Sequence, residues 1–218
     1  MRRALIHLKS SDPVLAAIID RVGACEIKLA YREPEFPALV RSIVFQQLNG
    51  KAATTIFNRL LEAADGAITP DSIRNLSVAE MRRVGLSKQK LSYIRDLAEH
   101  ALEGRLDFAS LPGMSDEEVI AALTQVKGIG VWTAHMFLMF ALRRENILPT
   151  GDFGIRSAIQ KAYRKRKMPD TKTITKLAKK WHPYCTVACW YLWRSLDAPG
   201  VAPRTIAVKK LCRDSAKK

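Results

Sequence analysis

Asp152 is the residue whose setting most invites chemistry: a lone carboxylate between Gly151 and Gly154, at the mouth of a helix-like run over 153–163. A helix N-terminus favours negative charge, so a carboxylate placed there stays ionised. An ordinary N-cap looks the same, and by itself the placement does not separate chemistry from architecture. Upstream lies a second unusual stretch, Val126-Lys127-Gly128-Ile129-Gly130-Val131, whose two glycines can take positive φ and bring bare backbone against another molecule. That turn is a candidate phosphate clamp. Trp132-Thr133-Ala134 and an apolar helix connect the two features.

The elements that must position them are helical throughout. Ser11-Asp12-Pro13 caps a helix that Gly23 stops, and a short extended connection is expected over 25–29. Pro34 and Pro37 break the pattern. Helical spacing then begins at Phe36, with Leu39, Ile43, Val44 and Leu48 on one face, and Asn49-Gly50 closes it before a helix over 51–64. Thr69-Pro70-Asp71 opens a short helix, and Ser77 with Glu80 forms a capping box for the next. Gly85 stops that one and Ser87 caps a helix over 88–103, which makes a corner at Gly85-Leu86-Ser87-Lys88. After a connector over 108–113, Ser115 and Glu118 form a second capping box on the helix that delivers the chain to the glycine turn. Trp181-His182-Pro183 interrupts a basic run over 161–180, and an apolar helix with Trp190 and Trp193 follows over 184–196. No stretch alternates with period two for long enough to be a strand, so the chain is expected to be all-α, about ten helices with short joints.

Composition narrows the partners. Hydrophobic residues make up 48% and charged residues 26% of 218, which excludes a mainly disordered chain. The balance of 36 Lys and Arg against 21 Asp and Glu gives a net charge of +15, which favours a polyanion, nucleic acid first. The apolar run over 136–142 is too short to span a membrane, and the Met-Arg-Arg start lacks a signal-peptide core, so an intracellular protein is expected, cytoplasmic or nucleoid-associated if bacterial. Cys25, Cys185, Cys189 and Cys212 are too scattered for a disulfide framework and read as reduced thiols. Cys185 and Cys189, one helical turn apart, could form half a metal site, with His182 as the nearby ligand type.

A helix, a Lys-Gly-Ile-Gly turn and a second helix beginning Trp-Thr-Ala make a helix-hairpin-helix. With Pro149 and Asp152 at this distance, the chain resembles the helix-hairpin-helix (HhH-GPD) DNA glycosylase superfamily. Ser42-Ile43-Val44-Phe45-Gln46-Gln47-Leu48, Gly50-Lys51-Ala52-Ala53, the Gly85-Leu86-Ser87 corner with Lys90, and Trp181-x-Pro183 leading to Trp193 are similar to the alkylbase (3-methyladenine DNA glycosylase II) branch. The likeness covers roughly 36–196 and points to the compact form, without an N-terminal β-domain. Cys185-Thr186 follows Tyr184 where relatives usually carry Arg-Ser.

The resemblance implies two helical lobes with an active-site cleft between them, one over 36–143 and the other from 1–35 and 144–218 with Asp152 at the cleft. It implies a monofunctional glycosylase that hydrolyses alkylated purines of the 3-methyladenine and 7-methylguanine type from damaged duplex DNA, in base excision repair, as a monomer. Asp152 would stabilise the oxocarbenium-like transition state and orient water. Trp132 and Trp193 would face the extruded base, with Met136 lining the pocket or simply packing. Leu86, Ser87 or Lys88 would wedge the duplex, and Gln46 and Gln47 would reach the opposite base or a phosphate, or else bond local backbone. Lys127 and the backbone of Gly128, Gly130 and Val131 would hold a phosphate. A monovalent cation, Na+ or K+, would sit at the carbonyls of Val126 and Ile129, and the cysteine spacing implies no iron-sulfur cluster. His135 reads as structural or DNA-facing. A bifunctional glycosylase/lyase for oxidised bases is the first alternative, opposed by Trp132 at the position of its attacking Lys; a non-catalytic helix-hairpin-helix DNA-binding protein is the second.

Overall fold

The protein is described by a computed structural model over residues 1–27 and 35–196. The connection beyond Ile27, Tyr31 and Pro34, the basic tail from Arg204 and Cys212 lie outside the described residues. The secondary structure among the described residues is helical, and the chain divides into two compact units, one from 1–31 and 143–218, the other from 32–142.

The first unit contains α1 (Arg2–Ser11), α2 (Pro13–Val22), α10 (Phe153–Ala162), α11 (Thr171–Ala178) and α12 (Cys185–Arg194). Asp12 caps α2, its Oδ1 accepting from the N–H groups of Val14 and Leu15, and Gly23 ends it at φ 80°. The cap is also the hub of the unit. Asp12 is fully buried, and its Oδ2 accepts from Tyr163 Oη, from Trp181 Nε1 at 2.8 Å and from the Lys180 ammonium at 3.1 Å. Burial pushes the Asp12 carboxyl up, but the bonds from Trp181, Tyr163, Lys180 and Leu15 outweigh it and hold the group below its ordinary 3.8. Helix α12 is buried from Cys185 to Trp193 and packs on α2 and α10, so it forms the spine of this unit.

The second unit holds α3 (Glu35–Phe45), α4 (Gly50–Ala63), α5 (Pro70–Asn75), α6 (Val78–Arg83), α7 (Lys88–Leu102), α8 (Asp116–Thr124) and α9 (Val131–Phe140). Helix α7 packs on α3, α5 and α6, and α8 packs on α9 across the glycine turn. Both expected capping boxes are present, Ser77 with Glu80 and Ser115 with Glu118, and Ser87 caps α7.

Four local expectations need correction. Helices α1 and α11 were missed: α1 buries only Ala4 and Leu8 and has no side-chain cap, and the lysines of α11 mask its short Ile174 and Ala178 stripe. Pro37 lies inside the first turn of α3, where a missing N–H costs nothing. Asn49-Gly50 does not close α3, which ends at Phe45; Asn49 instead caps α4, accepting from Ala52 N–H at 2.9 Å. Of the two turn glycines only Gly128 has positive φ, whereas Gly130 is extended at φ −97°.

Candidate functional site

In the second unit the turn over 126–131 is held from three sides. Gly128 is left-handed at φ 80°, and a Cβ there would stand 2.1 Å from the Tyr93 ring, so both conformation and space demand glycine. The Gly128 carbonyl accepts from the Gln46 side-chain amide at 2.9 Å, and the Lys127 N–H donates to Asp96 Oδ2 at 2.8 Å. The Lys127 ammonium pairs with Asp96 Oδ1 at 3.0 Å, and His100 lies beside the same carboxylate. Burial pushes Asp96 up, but the bonds and charge from Lys127 carry the net shift downward, so the group stays ionised at neutral pH.

The end of α3 is tied into the same assembly. Lys90, on α7, donates its ammonium to the carbonyls of Val44 and Gln46, each at 2.7 Å, and so caps a helix C-terminus with positive charge. Gln47 follows in the left-handed region at φ 55°. Thus α7 positions the end of α3 through Lys90, the glycine turn through Tyr93 and Asp96, and the corner before it through the Ser87 cap. Gly130 provides no side chain to cap α9, and Val131 and Trp132, about half exposed, open that helix.

In the first unit, Asp152 caps α10. It is 9% exposed, and its Oδ1 accepts from Ile155 N–H at 2.7 Å and from Trp193 Nε1 at 2.8 Å. Gly154 makes this approach possible, since a Cβ there would lie 2.9 Å from the Trp193 ring and 3.1 Å from Asp152 Oδ1. Phe153, next in sequence, is 73% exposed.

The expected site residues divide accordingly. Gly128, Gly130 and Val131 form the turn and the start of α9, and Trp132 is exposed beside them. Gln46 is a correction: its side-chain amide donates not to local backbone but to the Gly128 carbonyl, far along the chain, so it braces the turn from within. Lys127 extends from the turn but is paired with Asp96. Leu86 is a correction of the wedge expectation: it is 1% exposed, a core anchor beneath its corner, while Ser87 and Lys88 are at the surface. Trp193 is buried at 7% with its N–H edge on Asp152, which makes it a support of the carboxylate rather than an open aromatic face. Met136 is buried within α9. His135 is half-buried, and burial lowers its pKa against the opposing charge of Asp116. Cys185 and Cys189 are buried, and burial raises the first thiol to about 12 and the second well above its ordinary value. Among the described residues no three His, Cys, Asp or Glu side chains gather as a metal site, and no helix is long and apolar enough to cross a membrane.

Asp96 and Tyr93 were not anticipated, and Thr186 stood out in the sequence only as part of the Cys185-Thr186 departure from the usual Arg-Ser. Tyr93 and Asp96 lie three apart on α7, a spacing the sequence does show, but only the folded turn gives them something to hold.

Two helices, α8 and α9, joined by a glycine turn on a helical and strongly basic chain place this protein among the helix-hairpin-helix proteins. The branch follows from comparison: the family model described as HhH-GPD superfamily base excision DNA repair protein matches residues 40–183, and the chain belongs to that superfamily. It is 33% identical over 199 residues to DNA-3-methyladenine glycosylase 1 of Schizosaccharomyces pombe, covering 89% of this chain and 87% of that one. Among solved structures it is similar to a DNA-3-methyladenine glycosidase from Bacillus halodurans, with a TM-score of 0.82, 36% identity and 94% of both chains covered. It is also similar to a 3-methyladenine DNA glycosylase of S. pombe in complex with abasic DNA, with a TM-score of 0.75, 33% identity, and 88% of this chain and 96% of that one covered.

Proposed function

We propose that the protein is a monofunctional DNA glycosylase that removes alkylated purines, of the 3-methyladenine and 7-methylguanine type, from damaged duplex DNA in base excision repair. The observation that carries the reading is the fixed carboxylate of Asp152, held through Oδ1 by Ile155 N–H and Trp193 Nε1 at the start of α10. Its relatives' names, 3-methyladenine glycosylases, supply the substrate class.

Breaking an N-glycosidic bond builds positive charge on the sugar, and a preorganised carboxylate lowers that barrier because it need not reorient as the charge develops. An N3- or N7-alkylated purine already carries positive charge and leaves as a neutral base, so no strong general acid is required. The exposed indole of Trp132 suits such a base by stacking and cation–π attraction. Trp132 also stands where the lyases of the superfamily carry an amine, and without that amine no Schiff base forms at C1′; water is the nucleophile and the strand stays uncut. The turn backbone and the start of α9 take a phosphate. The Val126 carbonyl, which accepts from Ile129 N–H, and the Ile129 carbonyl are the groups that would hold a Na+ or K+ ion, the Gly128 carbonyl being taken by Gln46. Such an ion would add positive charge beside the phosphate. The protein acts as an intracellular monomer on this reading.

Incubation with methylated duplex DNA should release free purine and leave alkali-labile sites without direct strand scission. Asp152→Asn should abolish release while keeping affinity for an abasic-site duplex; release at near wild-type rate would remove Asp152 from its role. A covalent adduct trapped by borohydride would favour the lyase reading. Absence of release from any lesion duplex would favour a binding module.

A further inference from the structure

Thr186 is the second residue of α12 and only 3% exposed. Its Oγ1 donates to the Arg144 carbonyl at 2.6 Å and accepts from Ile147 N–H at 3.0 Å, while its own N–H donates to the Glu145 carbonyl at 3.0 Å. One buried residue therefore makes three bonds to 144–147, the entry of the loop that ends at Asp152.

The rest of that loop has little slack. Ile147 is 4% exposed and Pro149 is buried, Thr150 N–H donates to the Leu148 carbonyl at 2.9 Å, and Asp152 N–H donates to the Pro149 carbonyl at 2.9 Å. At the far end, Trp193 holds the Asp152 carboxylate. Thr186 and Trp193 belong to the same helix, roughly 10 Å apart along its axis at the usual rise per residue. Helix α12 thus grips the loop at its entry and at its functional tip, and the separation of the two grips is set by rigid helix geometry.

We propose that Thr186 is a positioning residue for base release: its hydroxyl fixes the register of the 144–152 loop and so the place of the Asp152 carboxylate. The proposal rests on the glycosylase reading above. The hydroxyl is the necessary part, because it donates and accepts at once and no apolar side chain of equal size can do either. With valine in its place, the Ile147 N–H loses the hydroxyl in a buried setting and the Arg144 carbonyl loses a short bond, and the loop shifts to compensate. A displacement of about 1 Å at a catalytic group costs about 100-fold in rate. A plain stability staple would behave differently, lowering the melting temperature without changing the rate per folded molecule.

The test compares Thr186→Val, Thr186→Ala and Thr186→Ser with the wild type and with Asp152→Asn. Single-turnover release of 7-methylguanine is measured per folded molecule, alongside affinity for a duplex carrying a tetrahydrofuran abasic analogue. Removal of the hydroxyl should slow release by roughly 10- to 100-fold with abasic-site affinity unchanged, and Thr186→Ser should return close to the wild type. The alanine variant answers the question if the valine variant does not fold. Release at the wild-type rate without the hydroxyl, a proportional loss of release and affinity, or failure of serine to restore the rate would each overturn the assignment. If the wild type itself releases no base, the glycosylase reading falls and the proposal with it; an active wild type with an equally active Thr186→Val isolates failure of the proposal alone.

Discussion

Asp152 gains its functional reading from two neighbours that a one-dimensional reading treats separately. The Trp193 indole reaches its carboxylate because Gly154 leaves room, and each of the three limits what the others can be. Trp193→Phe should keep the core filled but remove the N–H donor. Single-turnover base release should fall about tenfold, the cost of one hydrogen bond of roughly 1.4 kcal/mol, with little change in melting temperature. Gly154→Ala should do the same by crowding, and a crystal structure of that variant would show the indole displaced from Oδ1. As a helix cap Asp152 was legible from its flanking glycines and the helix that follows, whereas its catalytic role came only from the resemblance. Trp193 was found as an aromatic, but its contact with Asp152 was not, since nothing in the spacing of two distant residues fixes which edge of an indole faces inward.

At the level of elements, caps and stops were the most readable features, because a capping box or an Asp-Pro or Thr-Pro helix start is local chemistry written in adjacent residues. Gly85, Ser77, Ser87 and Ser115 perform the roles their neighbours suggest. Where a tertiary partner decides the outcome, local reading failed. Helix α3 ends early because Lys90 from α7 satisfies its terminal carbonyls. The turn over 126–131 likewise depends on Asp96 and Tyr93. Gly128→Ala should therefore lower affinity for undamaged and abasic duplex alike, since a Cβ would force both the backbone and the Tyr93 ring to move. Asp96→Ala should weaken duplex binding and lower the melting temperature together, measured by fluorescence anisotropy and calorimetry. An unchanged affinity would mean that the turn keeps its shape without that carboxylate.

For the molecule as a whole, charge and the Asp12 hub set the solution behaviour. The net charge of +15 predicts that binding to undamaged duplex weakens steeply with salt, the log–log slope tracking about 0.9 per phosphate neutralised. Lys165 and Lys167 are exposed after α10. Replacing both with alanine should flatten that slope by up to about 2 while leaving single-turnover release unchanged. Asp12 governs acid stability. Its carboxyl is held below 3.8 in the folded state, so its contribution is present in full above that value and is lost as pH falls through the lowered one. Asp12→Ala should reduce unfolding free energy by on the order of 3–5 kcal/mol at neutral pH, and the gap to the wild type should narrow as pH falls below 3.8 in a calorimetric titration.

The way the glycine turn is held also bears on portability. Its Gly128 carbonyl is matched to an amide from residue 46, and its Lys127 N–H to a carboxylate from residue 96. A peptide of α8, the turn and α9 would carry both groups away without their counterparts. The smallest piece that could be grafted onto another scaffold with its shape intact therefore includes the end of α3 and most of α7. A motif recognised in sequence as some twenty-odd contiguous residues is, as a transferable part, a discontinuous one.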